Sequence, residues 1–164
     1  MKKRNILSFI LLIAITGTLS VLLLSFTPPK KKNIGLQLYS IRDSIRKNVP
    51  GAIEKVAKMG YTFVEPAGYG NGKFYGIDPV EFKNLLQKNG IYMLSSHTGQ
   101  NPPADGNMEK VMAWWDECID AHVAAGAKYI VQPSMGQDAY KSKEGILKYC
   151  DYFNTIGEKC KAKG

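Results

Sequence analysis

Two hydrophobic patterns alternate along residues 33–164. Short apolar runs, each the length of one strand, are followed by longer segments in which apolar residues recur every three or four positions. The short runs predict four strands, at 34–39, 61–65, 91–94 and 129–131. A helix is predicted after each strand. This repeated order is typical of an α/β fold with a parallel sheet.

Several residues predict where the helices begin and which side is apolar. Asp78 followed by Pro79 predicts the start of the second helix, and the third is expected to begin near Asn107. The first helix has an apolar face of Val49, Ile53, Val56 and Ala57. The corresponding stripe of the third helix is Val111, Trp115, Cys118, His122 and Ala125. In the last helix the predicted stripe is Ile146, Tyr149, Cys150, Phe153, Ile156 and Cys160.

The glycines that end these helices define a repeat. Gly60, Gly90 and Gly126 each precede a strand, and Gly164 ends the fourth helix with no strand after it. A (β/α)8 TIM barrel needs eight strands and about 250 residues. We therefore expect residues 33–164 to be the N-terminal half of such a barrel, with four βα units present in a truncated sequence.

The alternative fold is an open, doubly wound sheet, which usually carries a phosphate-binding first turn. Gly68, Gly70 and Gly72 complete neither the dinucleotide pattern nor a P-loop, because Lys73 and Ala67 occupy required glycine positions. We predict that residues 67–77 form a flexible loop.

Residues 6–26 contain no charged residue, and lysines or arginines flank them on both sides. This predicts a signal peptide or an uncleaved membrane anchor within a separate region, 1–32, and an exported, periplasmic or membrane-anchored protein. Whether the segment is cleaved stays open. A buried core helix is the weaker alternative.

The formal net charge of +8 belongs mainly to this region. Six of the 22 basic residues and none of the 14 acidic residues lie in 1–32, so the rest of the chain carries only +2. A nearly neutral body argues against a nucleic-acid partner, because such binding depends on neutralising phosphates. Three cysteines without a CxxC pair argue against a disulfide framework, and we expect Cys118, Cys150 and Cys160, together with His122, to be buried.

Candidate chemistry follows the predicted strands. The strand-to-helix loops are long, and βα barrels place their sites on these loops at the carboxyl ends of the strands. Carboxylate, imidazole and amide groups at such positions suit the binding of hydroxyl groups. The candidate substrate-binding residues are Gln37, Tyr39, Glu65, His97 and Gln132.

Four segments resemble the sugar phosphate isomerase/epimerase proteins of the xylose-isomerase-like barrel superfamily. They are IGLQLYSIRDSI, GYTFVEPAGYG, KNGIYMLSSHTG and AHVAAGAKYIVQP, in this order and spacing. The resemblance implies an isomerase or epimerase that moves a proton next to the carbonyl of a sugar or sugar phosphate and uses a divalent metal ion (Mn2+, Mg2+, Co2+ or Zn2+). The family's main metal ligands come from later strands, beyond Gly164, so we expect this fragment alone to be inactive.

Two other functions remain open. One is a non-catalytic carbohydrate-binding barrel. The other is an endonuclease of the same superfamily that cuts at abasic sites, which resembles this chain at His97 but has a histidine where this chain has Gln132. The unpaired edges of a half barrel also predict pairing with a second copy, and residues 6–26 predict membrane contact if they are retained.

Overall fold

The computed structural model describes residues 32–104 and 106–164. The predicted signal peptide or anchor at 6–26 lies outside the described residues. Among the described residues, every helix is too short or too polar to cross a bilayer. Residues 33–164 form one compact unit.

Strands and helices alternate as predicted. The strands are β1 (Gly35–Gln37), β2 (Phe63–Glu65), β3 (Tyr69–Gly70), β4 (Lys73–Phe74), β5 (Tyr92–Met93), β6 (Ser95–His97) and β7 (Tyr129–Val131). The α-helices are α1 (Arg42–Lys47), α2 (Val49–Lys58), α3 (Pro79–Lys88), α4 (Met108–Ala125) and α5 (Lys143–Lys163). Short 3-10 helices cover Leu38–Ile41 and Gln137–Lys141.

The main strands are parallel and stand in chain order. β1 pairs with β2, β2 with β5, and β6 with β7. β5 and β6 are consecutive parts of the third strand, separated only by Leu94. The predicted α/β class with a parallel sheet is confirmed.

Pro66 causes the break in the third strand. The Leu94 N–H donates to the Val64 carbonyl at 3.1 Å, but Pro66 has no N–H to return to Leu94. The next bond to the second strand comes from the His97 N–H to the Pro66 carbonyl, at 2.8 Å, one residue later than a regular parallel ladder requires. The extra residue is a β-bulge, and it reverses the side to which the following residues point.

Two apolar clusters lie between the sheet and the helices. One contains Ile53 and Phe82 from helices together with Val64 and Met93 from strands, all nearly fully buried. The other joins α4 to α5 and contains Val111, Trp115, Cys118, Tyr152 and Ile156. The predicted stripe of α4 is confirmed, since all five of its residues, including His122, are buried. Asp78 caps α3 as predicted, because its carboxylate accepts the Val80 N–H at 2.9 Å.

The loop prediction for residues 67–77 is wrong. β3 and β4 form an antiparallel hairpin whose turn residues, Asn71 and Gly72, have φ angles of 50° and 71°. Positive φ at both positions is the geometry of a type I′ turn, for which Asn-Gly is the preferred sequence. Phe74 anchors the hairpin because its side chain is completely buried.

Two other expectations fail in part. The first strand ends at Gln37 rather than Tyr39, because Leu38 and Ile41 have the three-residue spacing of a 3-10 turn and Leu38 is fully buried within it. Cys150 is exposed, whereas Cys118 is buried and Cys160 is intermediate. The buried stripe of α5 passes through Tyr149, Tyr152 and Ile156, which leaves position 150 to one side.

Candidate functional site

The carboxylate of Glu65 is held between two neighbouring strands. Its Oε1 accepts a hydrogen bond from Gln37 Nε2 on β1 at 2.6 Å. Its Oε2 accepts one from Ser95 Oγ on β6 at 2.5 Å. Each carboxylate oxygen has two lone pairs, so each keeps one for a ligand. The carboxylate is therefore fixed in orientation and still able to bind.

These side chains lie on the face of the sheet that points away from the helices. Leu36 and Val64 are paired in register and pack into the helix-side cluster, so the next pair, Gln37 and Glu65, points the opposite way. On the third strand the bulge brings Ser95 to this same face, as its bond to Glu65 demonstrates. His97, two residues further on, shares the face by alternation.

His97 lies in β6 opposite Val131 and is partly exposed. The sequence predicts a third strand that ends at residue 94, with His97 just after it. In the structure the strand resumes after the bulge and includes His97. Its imidazole makes no hydrogen bond or ion pair with any residue that the structure describes. Since no described residue occupies its ring nitrogens, both can form hydrogen bonds with a ligand.

Gln132 faces a different direction from Glu65. It follows β7 on the same side as Ile130 and, with Trp115 and Phe153, lines a cavity between the sheet and α5. Its Nε2 donates to the Ser134 carbonyl at 2.7 Å and more weakly to Asn101 Oδ1 at 3.4 Å. A Cβ on Gly99 would stand only 1.6 Å from Gln132 Oε1, so any other residue there would displace the Gln132 side chain.

Tyr39 lies outside the Glu65 group. It belongs to the 3-10 turn after β1, its side chain is 53% exposed, and the Arg42 guanidinium stacks over its ring at 4.9 Å. The structure therefore brings Gln37 and Glu65 together, places His97 on their face, and separates Gln132 and Tyr39 from them. The substrate-binding role of the five residues stays a prediction.

Ser95 is a member of this group that sequence reasoning did not select. A serine next to a strand end is common, and the face of the sheet to which Ser95 points depends on the bulge. The signal in the sequence was Pro66, whose missing N–H breaks the ladder directly opposite.

The buried titratable groups lie elsewhere. Burial lowers the pKa of His122 to about 4 and raises the pKa of the Cys118 thiol to about 12. The His122 ring packs against Tyr69 and Phe74, and its Nδ1 lies 2.6 Å from the Cys118 carbonyl oxygen. These groups are neutral at physiological pH and serve the core.

The described residues do not form a metal centre. Within 32–104 and 106–164, no three His, Cys, Asp or Glu side chains come together as metal ligands. The neighbours of Glu65 are an amide and a hydroxyl, both of which donate to it. Such a set suits a hydrogen-bonded organic ligand better than a divalent cation, which requires several oxygen or nitrogen donors.

Comparison with known proteins identifies relatives of the fold. The model of the xylose isomerase-like TIM barrel family matches residues 53–164. A solved structure of a sugar phosphate isomerase/epimerase from Parabacteroides distasonis ATCC 8503 is 31% identical, with a TM-score of 0.71 over 81% of this chain and 51% of that chain. A second one from the same organism is 29% identical, with a TM-score of 0.74 over 84% of this chain and 50% of that chain. No curated protein is significantly similar to the chain.

The chain spans about half the length of these two solved structures. The family model nevertheless covers more than half of the chain, and its match includes the strands that carry Glu65 and His97. The chain therefore belongs to the xylose isomerase-like TIM barrel family.

Proposed function

We propose that the carboxyl ends of β1, β2 and β6 bind a sugar or sugar phosphate, as the substrate-binding part of an isomerase or epimerase. The observation that carries this proposal is the Gln37–Glu65–Ser95 hydrogen-bonded group, with His97 on the same face. The names of the two similar solved structures support the same reaction class.

The proposed roles follow from the donor and acceptor inventory. Glu65 accepts hydrogen bonds from two sugar hydroxyls through its free lone pairs, while Gln37 and Ser95 keep it from rotating away. Gln37, Glu65, Ser95 and His97 together form what we call the Glu65 rim. Within it, His97 exchanges a proton with a substrate oxygen or with the carbon next to the carbonyl.

Binding tests the first half of the proposal. The full chain is titrated with aldoses, ketoses and their phosphates by saturation-transfer NMR. Glu65→Gln is compared with Glu158→Gln, since Glu158 is an exposed glutamate on α5. We expect Glu65→Gln to weaken binding at least tenfold and Glu158→Gln to have no effect. Equal binding by both variants would contradict the role of Glu65.

Proton transfer tests the second half. In D2O, an isomerase or epimerase exchanges the hydrogen on the carbon next to the carbonyl, and NMR detects that exchange. The reaction is run with the full chain, with Mn2+ or Mg2+ added in parallel samples. Because this fragment alone is expected to be inactive, exchange is measured with and without the metal ions, and where it occurs we expect His97→Asn to abolish it without loss of binding.

A second candidate is carbohydrate binding without turnover. The Gln37–Glu65–Ser95 group supports it as well, since hydrogen bonds that orient a carboxylate toward sugar hydroxyls require no reaction to follow. Sugar binding that depends on Glu65 and is unaccompanied by exchange is the result expected for this candidate, and exchange by the full chain would contradict it.

A further inference from the structure

A separate cavity of about 480 Å3 lies between α4 and the loop that follows β6. Its walls include Gln100, Asn101, Pro103, Lys110, Trp114 and Glu117. Gln37, Glu65 and His97 take no part in it. The volume is within the range of about 300–1,000 Å3 that is usual for small-molecule sites.

The loop wall of this cavity is held by a chain of hydrogen bonds. Trp115 Nε1 donates to Tyr152 Oη at 2.7 Å, and that hydroxyl donates to the Gln100 carbonyl at 2.8 Å. Asn101 accepts from Gln132 Nε2 at 3.4 Å. Because α5 and β7 both support this loop, the cavity is formed before any ligand arrives.

The helix wall has an aromatic ring in a fixed position. Trp114 packs edge-on against Tyr69, at 5.8 Å between ring centroids, and against Trp115, at 5.1 Å. Trp115 is 2% exposed and belongs to the core, whereas Trp114 is only partly buried and lines the cavity. One indole is therefore structural and its neighbour is available to a ligand.

Two charged groups flank this indole along α4. Lys110 lies one turn before Trp114 and Glu117 lies close to one turn after it. Neither forms an ion pair with any residue that the structure describes. Opposite charges on the two sides of Trp114 disfavour a strongly anionic or cationic ligand. A donor, an acceptor and side-chain amides around an apolar ring suit a neutral ligand with many hydroxyls.

We propose that this cavity binds a neutral pyranose ring that packs on Trp114, with its hydroxyls bonded to Lys110, Glu117 and Asn101. The site is distinct from the Glu65 rim and does not depend on the reaction proposed there. It gives the protein a second contact with carbohydrate, on the outer side of the same loop that begins after His97.

Tryptophan fluorescence of the full chain provides the test. The probes are methyl glycosides of glucose, galactose, mannose and xylose, with saturation-transfer NMR as a second readout. We expect saturable binding of at least one glycoside, weakened at least tenfold in Trp114→Ala. Lys110→Met removes the ammonium donor and Glu117→Gln removes the carboxylate charge. Both positions are exposed, so the core is undisturbed, and each variant is expected to weaken binding at least threefold.

Matched variants separate this site from the rim. Glu65→Gln removes the rim carboxylate and Glu158→Gln removes an unrelated one, and both are expected to keep the fluorescence response unchanged. Three outcomes overturn the proposal: no glycoside binds to the folded chain, Lys110→Met and Glu117→Gln both bind as well as the parent chain, or Glu65→Gln abolishes the response. The rim proposal is unaffected by the first two outcomes.

Discussion

At the scale of single residues, neighbouring serines on β6 occupy opposite environments. The Ser95 hydroxyl donates to Glu65 Oε2, whereas the Ser96 hydroxyl is buried on the helix side without a hydrogen-bond partner among the described residues. Sequence alone cannot rank these two serines, because the bulge decides which of them reaches Glu65. The pair offers a matched test of that geometry.

We expect Ser95→Ala to destabilise the protein by about 1.5 kcal/mol, since it removes a hydrogen bond to an ionised group that is partly exposed. Ser96→Ala deletes a hydroxyl with no partner and is expected to leave stability unchanged or slightly higher. Urea unfolding of both variants measures the difference. Equal losses from the two substitutions would show that the assigned faces are wrong.

His122 makes stability depend on pH. Its pKa is lowered to about 4 in the folded protein by burial, so between pH 4 and about 6.5 the unfolded chain binds the additional proton. The free energy of unfolding should therefore fall as the pH falls through this window, by about 3 kcal/mol in total from this group.

His122→Asn tests this effect, because asparagine retains a donor for the Cys118 carbonyl and does not titrate. We expect the variant to lose much of the decline between pH 6.5 and 4, measured as the free energy of unfolding at several pH values. An unchanged pH slope would assign the decline to other groups.

At the scale of elements, the sequence predicted strands and helices well wherever periodicity and capping agreed. Asp78 and Asn107 begin α3 and α4 as expected, because their side chains accept backbone N–H groups that the first helical turn leaves unpaired. The failures occur where a single residue overrides the pattern. Pro66 shifts the third strand by one residue, and Asn71-Gly72 turns a presumed loop into a hairpin.

The hairpin turn can be tested with two glycine substitutions. Gly72 has a φ angle of 71°, and a Cβ on it would stand 2.8 Å from Glu117 Oε1. Gly72→Ala is expected to cost about 1 kcal/mol from backbone strain. Gly157 lies inside α5 with open space around its Cβ position, so Gly157→Ala should stabilise the protein by about 0.5–1 kcal/mol.

Thermal and urea unfolding of these two variants and the parent chain give the sign of each change. Opposite signs support the hairpin geometry. Destabilisation by both substitutions would mean that loss of glycine itself, rather than the left-handed turn, sets the cost.

At the scale of the whole molecule, the sheet is covered by helices on one face only within the described residues. Tyr92 is 43% exposed and Tyr129 is 62% exposed, and register places both on the face that carries Glu65. Parallel sheets in proteins are normally buried on both faces. The parallel order and the half-length match to solved barrels were within reach of the sequence, whereas the side to which Tyr92 and Tyr129 point follows from the strand register, which the structure provides.

The exposed face leads to a prediction about association. We expect the full chain to self-associate with increasing concentration in sedimentation velocity, because pairing removes Tyr92 and Tyr129 from water. Tyr129→Lys places a charge on this face, in the last strand β7, and should shift the distribution toward monomer. Met59→Lys is the control, since Met59 is 71% exposed at the end of α2, on the helical side.

Because all three proteins contain the same apolar segment at 6–26, any association that this segment causes is common to them. Only a selective effect of Tyr129→Lys therefore assigns the interface to the sheet. Identical distributions for the three proteins would exclude it.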